Sequence, residues 1–225
     1  MDSAHPSRLI GIFGGTFDPV HIGHVNTIVE LKQSMGLSRI MVLPAAIPNL
    51  RISPHLSAQH RLHLLRLALQ NHADISIDDR ELNRKGITYS VDTLGELTAE
   101  KAQDEVLLLI MGSDAFMKFH LWKDWRKILQ LAHLVVMHRP GWEIKQNELA
   151  PELAELLAHN RCDSRVQLKQ ATAGRVRFET VEPYDISATK IRQTLAAGES
   201  IKGLVPTRVS DYISQQGLFS INKVK

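Results

Sequence analysis

The chain has 225 residues, of which 44% are hydrophobic and 23% charged, and its 27 Lys and Arg against 24 Asp and Glu give a formal net charge of +3. These values are ordinary for a globular protein and exclude a disordered or collagen-like chain, and the length suits one larger domain with its own core. The single cysteine, Cys162, excludes an internal disulfide and a cysteine-based zinc cluster, which suits a reducing compartment.

Strands and helices alternate from the start of the chain. The apolar run 9–13 is short, continuous and closed by Gly14 and Gly15, which predicts a buried strand. A helix over 23–35 and a second strand over 39–43 complete a βαβ unit, so the two strands should be parallel.

The alternation continues towards the C-terminus. Ser57, Ser90 and Asn147 are each expected to cap a helix. Further strands are predicted over 75–77, 106–111, 134–138 and 176–181, and further helices over 57–70, 91–99, 125–131, 148–159, 188–197 and 207–216. We therefore predict a single α/β domain over 1–225 with a doubly wound, mainly parallel sheet. Its core should span about 8–185, and a small helical C-terminal part about 186–219.

The loop over 14–24 follows the first strand, and ligands of doubly wound folds bind beyond the carboxyl ends of strands. It reads Gly-Gly-Thr-Phe-Asp-Pro-Val-His-Ile-Gly-His. Its glycines allow close approach of the backbone, and the helix that follows presents unpaired amides, which predicts an anion site. His21 and His24 should share one face of the first turn, with Gly23 leaving room between them.

Other interpretations of this loop are weaker. It contains neither the Gly-Lys-Ser/Thr of a Walker A loop nor the G-x-G-x-x-G dinucleotide fingerprint. The two histidines could instead ligate a metal, but the sequence offers no third ligand nearby.

A second motif, Ile-Ser-Ala-Thr-Lys-Ile-Arg, occupies 186–192 at a predicted strand-to-helix loop. Ser187 and Thr189 can offer hydroxyl groups at the helix start, and Arg192 offers a planar fork for phosphate oxygens. Alone, such a Ser-x-Thr is typical of a simple helix cap. The functional interpretation is favoured because the histidine motif occurs in the same chain.

Together the two motifs resemble the HxGH and ISSTxIR signatures of the nucleotidylyltransferase superfamily. More closely, residues 8–219 are similar to the bacterial nicotinate-nucleotide adenylyltransferases, through 88–94, Gly112-Ser113-Asp114, Trp122 and Arg139-Pro140-Gly141. This resemblance implies a Rossmann-like nucleotidylyltransferase fold and an enzyme of NAD biosynthesis. It would transfer the adenylyl group of ATP to nicotinate mononucleotide, giving nicotinate adenine dinucleotide and pyrophosphate, by in-line attack without a covalent intermediate. Such chemistry needs positioning and charge neutralisation more than a protein nucleophile.

The resemblance also implies site residues. The catalytic residues would be His21, His24 and Arg192. The ATP-binding residues would be Gly14, Gly15, Thr16, Phe17, Gly23, Gly112, Asp114, Ile186, Ser187 and Thr189. The mononucleotide-binding residues would be Arg51, Ser90, Trp122, Lys123 and Arg139. Mg²⁺ should accompany ATP and keep several waters, so no protein metal ligand is assigned.

For some of these residues a purely structural role is an open alternative. Trp122 would stack on the pyridine ring, or else pack in the core as Trp125 should. Asp114 would contact a ribose, or else cap the following helix. Arg51 would meet the mononucleotide phosphate, although 48–51 reads Pro-Asn-Leu-Arg where the family has Pro-Pro-His and a basic residue. Ala45-Ala46 and Ala188 also replace polar residues of the family pattern.

Rival functions are an adenylyltransferase acting on phosphopantetheine or on nicotinamide mononucleotide, and a nucleotide-binding regulator without catalysis. No nucleic-acid partner is expected, because basic runs interleaved with aromatics are missing, and Arg80, Arg84 and Lys85 are interpreted as a solvated loop. Residues 1–8 lack the apolar core of a signal peptide, and the longest apolar runs are too short to span a bilayer. We expect a cytoplasmic protein without a membrane partner, and a homo-oligomer stays an open option.

Overall fold

The computed structural model describes residues 8–46, 53–145 and 148–219. Six strands form one sheet in which every pair of neighbours is parallel, in the order β3-β2-β1-β4-β5-β6. They are β1 Arg8–Gly15, β2 Arg39–Pro44, β3 Ile75–Ile77, β4 Glu105–Gly112, β5 His133–His138 and β6 Val176–Thr180. The predicted doubly wound α/β fold is confirmed.

Helices connect the strands and cover the sheet. They are α1 Ile22–Ser34, α2 Ala58–Leu69, α3 Ser90–Glu100, α4 Ser113–Phe116, α5 Trp125–Leu131, α6 Pro151–Asn160, α7 Arg165–Lys169, α8 Ala188–Ala196 and α9 Thr207–Gln215, with a 3₁₀ turn at Phe119–Leu121. No helix within the described ranges is long and apolar enough to cross a membrane. The strand order reverses between β1 and β4, which is where doubly wound sheets open a crevice for ligands.

The core lies on both faces of the sheet. Along β4, Val106, Leu108 and Ile110 belong to one buried cluster, while Leu107 and Leu109 belong to the other. A strand that is buried on both sides needs an unbroken apolar run, which is what the sequence has there. The first cluster also takes in buried residues of α1, α2, α8 and α9, so the C-terminal helices share the core of the sheet.

The predicted caps of α3 and α6 differ from what the structure has at these helix starts. Ser90 is the first residue of α3 rather than its cap, since the Tyr89 backbone occupies the cap position without a capping side chain. Helix α6 starts at Pro151, whose fixed φ suits a first helical position, and the predicted cap Asn147 lies outside the described residues. Ser57 does cap α2, accepting the His60 N–H at 3.3 Å.

The interpretation of Arg80 and Arg84 as a solvated cluster is wrong. Arg80 is only 19% exposed, and its guanidinium lies 2.8 Å from Asp78 and 2.7 Å from Glu100 of α3. Arg84 lies 2.6 Å from Glu96 of the same helix. Several cooperating ion pairs therefore fasten the segment before α3 onto that helix.

Candidate active site

A cavity of about 510 Å³ opens at the carboxyl edge of the sheet. It lies between the loop after β1, the segment before α2 and the start of α8. The predicted site residues that line it are Gly14, Gly15, Thr16, Phe17, His21, His24, Ile186, Ser187, Thr189 and Arg192. The fold thus brings two motifs from opposite ends of the sequence to one place.

His21 and His24 form a reciprocal capping box at the start of α1, in which each side chain accepts the backbone N–H of the other. The His21 N–H donates to His24 Nδ1 and the His24 N–H donates to His21 Nδ1, both at 3.3 Å. Their rings stack with centroids 3.6 Å apart, which confirms the predicted shared face of the first turn. Each ring therefore satisfies one of the amides that a helix start leaves unpaired.

This geometry fixes the proton on each ring. Burial lowers the pKa of His21 to about 4, and burial together with the neighbouring His21 lowers the pKa of His24 to about 3. Both rings are therefore neutral at pH 7. Because each Nδ1 accepts a backbone hydrogen bond, the single proton of each neutral ring must sit on Nε2. Nε2–H is thus a hydrogen-bond donor in both rings.

The loop before the histidines is tightly packed. Phe17 is buried at a positive φ of 51° and meets the His24 ring edge-on at 5.1 Å. A Cβ on Gly15 would lie 2.7 Å from the Phe17 ring, and one on Gly23 would lie 3.1 Å from His21 Nδ1. Both glycines are needed for close approach, as the sequence indicated for Gly23.

Arg192 reaches back to the first loop from α8. Its Nη1 donates to the backbone carbonyl of Asp18 at 2.6 Å, and its Nη2 donates to Thr189 Oγ1 at 3.2 Å. Ser187 caps α8 by accepting the Lys190 N–H at 3.1 Å, which leaves its own hydroxyl hydrogen free to donate. The cap interpretation and a phosphate-binding role of Ser187 are therefore compatible.

A second cavity of about 200 Å³ adjoins the first and shares His21, His24 and Ile186 with it. Gly23 and Arg139 line this second cavity. Arg139, predicted for the mononucleotide, thus lies beside residues predicted for ATP.

The other predicted residues that the structure describes are not among those that line the two cavities. Lys123 Nζ lies 4.4 Å from the centroid of the Tyr89 ring and 3.5 Å from Asp92 Oδ2, so it sits over the start of α3, whose first residue is Ser90. Trp122 is half-buried and packs edge-on to a phenylalanine of the 3₁₀ turn at 5.6 Å, much as Trp125 does at 5.7 Å. Packing against this phenylalanine therefore does not tell which of the two tryptophans binds a ligand and which is structural.

Gly112 and Asp114 follow β4. Gly112 pairs with Met137 of β5, a residue that lines both cavities, and it caps the four-residue helix α4. Asp114 is exposed in the first turn of α4 and is not its cap. Arg51 lies outside the described residues.

Comparison with known proteins gives the family. Residues 12–194 match the cytidylyltransferase-like family. A probable nicotinate-nucleotide adenylyltransferase of Acidithiobacillus ferrooxidans is 41% identical, over 92% of this chain and 94% of that one. One of Pseudomonas putida (strain GB-1) is also 41% identical, over 97% of this chain and 98% of that one. The chain belongs to the nicotinate-nucleotide adenylyltransferase family.

A solved structure supports the fold of this family member. The Plasmodium falciparum nicotinic acid mononucleotide adenylyltransferase, complexed with NaAD, superposes with a TM-score of 0.69 at 16% identity, over 95% of this chain and 98% of that one. At that identity the likeness concerns the chain path and not the side chains.

Sequence reasoning missed a buried arginine under the site of this adenylyltransferase. Arg61 of α2 is 1% exposed, and its Nη1 donates to the Thr16 carbonyl at 2.7 Å while Nη2 donates to the Ala46 carbonyl at 3.2 Å. It therefore joins the loops after β1 and β2. In the sequence it stands in a polar-apolar helix pattern that gives no sign of burial.

Asp18 was missed as well. Its carboxylate accepts the backbone N–H groups of His55 at 2.8 Å and Leu56 at 3.0 Å, so it holds the segment before α2 against the first loop. In the sequence, Asp18 is followed by Pro19, and nothing nearby indicates a partner for its carboxylate, because the two amides lie 37 and 38 positions away.

Proposed function

We propose that this chain transfers the adenylyl group of ATP to nicotinate mononucleotide, releasing nicotinate adenine dinucleotide and pyrophosphate, as a step of NAD biosynthesis. One observation carries the proposal: two neutral histidines with donor Nε2–H groups and the Arg192 fork line one cavity at the switch point of the sheet. Family membership supports the same reaction.

The chemistry follows from the donors. An oxygen of the mononucleotide phosphate attacks the α-phosphorus of ATP, and the bond from that phosphorus to the bridging oxygen of pyrophosphate breaks with its electron pair going to the leaving group. His21 and His24 donate Nε2–H to α-phosphate oxygens as charge develops there. Arg192, with the Ser187 and Thr189 hydroxyls beside it, holds the β- and γ-phosphates. No side chain needs to form a bond.

Neutral histidines suit this role. A ring that is already a donor at pH 7 contributes without first taking up a proton, and its position is set by the reciprocal cap of α1. Arg192 supplies the permanent positive charge, and its contacts to Asp18 and Thr189 hold it against the first loop before ATP arrives.

Mg²⁺ fits this cavity as a companion of ATP. Asp18 is the one carboxylate among the described residues that line the first cavity, and both of its oxygens already accept hydrogen bonds. Phosphate oxygens and water would therefore provide the ligands, in keeping with the preference of Mg²⁺ for retaining several waters. When bound, the ion would neutralise phosphate charge.

The mononucleotide would lie towards α3. The cap position of α3 has no capping side chain, so backbone N–H groups at Ser90 can meet the nicotinate carboxylate, with Lys123 close by as a cation. A carboxamide NH₂ would oppose these donors, which supports the acid over the amide as substrate.

The test is pyrophosphate release with ATP and Mg²⁺, comparing nicotinate mononucleotide, nicotinamide mononucleotide and phosphopantetheine in parallel. We expect strong preference for the nicotinate nucleotide and loss of turnover on chelation of Mg²⁺. Activity with another acceptor alone would reject the substrate, and activity with none would reject the reaction. His24→Asn keeps an acceptor for the His21 N–H but lacks Nε2–H, so it should fold and lose turnover by at least about a hundredfold.

A further inference from the structure

His55 is a histidine in the first cavity that the site described so far does not use. It precedes α2, and its side chain is 56% exposed. Exposed histidines on surface segments are usually free to change rotamer. This one is held by the carboxylate of Asp18, which is itself only 6% exposed.

The hold on the ring is specific. Asp18 Oδ2 accepts the His55 backbone N–H at 2.8 Å and lies 3.0 Å from the ring Nδ1. A carboxylate has no hydrogen to give, so the proton of this contact must sit on Nδ1. Among the described residues, no protein group lies within hydrogen-bond distance of the remaining ring nitrogen, Nε2. The side chain is more than half exposed, and the residue lines the cavity.

The surroundings define what Nε2 could meet. The same cavity is lined by the Arg192 guanidinium, the hydroxyls of Ser187 and Thr189 and the two stacked histidines. These groups are donors, and the one carboxylate is already bound to backbone amides. The ligand class that satisfies such a lining is a phosphate group.

We propose that His55 is a further phosphate-binding residue of this site, whose Nε2–H donates to a non-bridging phosphate oxygen while Asp18 holds the ring through Nδ1. The proposal rests on the proposed adenylyl transfer, because the phosphate belongs either to the pyrophosphate part of ATP or to the mononucleotide. It differs from the roles of His21 and His24, whose Nδ1 atoms accept hydrogen bonds and whose neutral rings already donate.

Binding at His55 requires a charged ring. With Nδ1–H given to Asp18, an Nε2–H exists only in the imidazolium form. The bound phosphate favours that charge. Arg192, whose Nη1 lies 3.9 Å from Asp18 Oδ2, opposes it, and the neutral rings of His21 and His24 neither supply nor remove charge.

Two substitutions separate phosphate binding from a purely structural role. In His55→Asn the amide nitrogen takes the place of Nδ1, so the contact to Asp18 is kept and the distal donor is lost. In His55→Gln the amide nitrogen takes the place of Nε2, so a distal donor is kept and the contact to Asp18 is lost. His159→Asn, an exposed histidine at the end of α6, is the matched control.

The experiment is calorimetric titration of the whole protein with pyrophosphate and, separately, with nicotinate mononucleotide. We expect His55→Asn to weaken one of them about tenfold, and more than His55→Gln does. Weaker pyrophosphate binding assigns His55 to the ATP phosphates, and weaker mononucleotide binding assigns it to the acceptor. Equal affinities of His55→Asn and wild type, or a greater loss in His55→Gln than in His55→Asn, would overturn the proposal.

A second measurement counts the protons that the protein takes up when the ligand binds. Titrations in two buffers of different ionisation enthalpy should show that wild type takes up more protons on binding than His55→Asn does, and equal uptake would overturn the proposal. Turnover of the wild type is measured on the same preparation. If wild type turns over and the variants bind as it does, only the role of His55 fails. If wild type does not turn over but His55→Asn weakens phosphate binding, only the proposed reaction fails.

Discussion

Acidification from pH 7 to pH 5 should destabilise the fold through the stacked histidines. In the folded protein the pKa of His21 is about 4 and that of His24 about 3, against an ordinary value of 6.5. Between these values the unfolded chain binds a proton at each ring and the folded chain does not, so stability falls as the pH falls through 6.5 towards 4. At pH 5 the loss is about 2 kcal/mol for each ring.

The measurement is the free energy of unfolding by denaturant at pH 7 and pH 5. His24→Asn removes one of the two rings and keeps an acceptor for the His21 N–H. Between the two pH values it should lose about 2 kcal/mol less than wild type. His159→Asn, which removes an exposed histidine, should lose as much as wild type.

The reasoning would be refuted if wild type and His24→Asn lost the same free energy between pH 7 and pH 5. Such a result would mean that the His24 ring takes up its proton in the folded state as readily as in the unfolded one. Its donor role at neutral pH would then need a different account, since a ring that titrates freely is not fixed as a neutral donor.

Three further substitutions test other contacts. Gly15→Ala places a Cβ 2.7 Å from the buried Phe17 ring, so in a thermal melt it should lower the Tm by about 6 °C. A Cβ on Gly14 would have nothing within 4 Å, so the control Gly14→Ala should leave the Tm within about 2 °C of wild type. Arg61→Lys replaces a planar fork, which binds two carbonyls through two nitrogens, by a single ammonium on a shorter side chain, and it should lower kcat/KM for both substrates about tenfold. The exposed Arg66→Lys on the same helix should not, and an effect of Arg61→Lys on one substrate alone would contradict a shared anchor. Trp122→Ala should raise the KM for the mononucleotide about tenfold and spare that for ATP in steady-state kinetics, and equal rises would indicate damage to the packing instead.

The fold was predictable because its signals are local. The continuous apolar run of β4 and the strand-helix-strand pattern around Gly14 and Gly15 are properties of short windows, and a parallel sheet follows from them. Both motifs were predicted to follow strands, and the carboxyl ends of parallel strands meet at one edge, where the cavity contains the histidines and Arg192.

The remaining site contacts join residues far apart in sequence. Arg61 meets Thr16 across 45 positions and Asp18 meets His55 across 37, and no local pattern records such pairs. The predicted caps of α3 and α6 were wrong because neither helix uses a capping side chain: Tyr89 and Ala150 occupy the two cap positions without a side-chain hydrogen bond to the helix. The ion pairs that join Arg80 to α3 were missed because Glu96 and Glu100 lie 16 and 20 positions further along the chain.

The anchors of the loops around the cavity are directed at main-chain atoms. Arg61 holds the carbonyls of Thr16 and Ala46, and Asp18 holds the amides of residues 55 and 56. A carbonyl or an amide is offered by nearly every residue type, so the loop after β2 can change its side chains without losing its attachment. These contacts therefore constrain the path of the backbone around the cavity and leave the side chains of the attached loops free to vary.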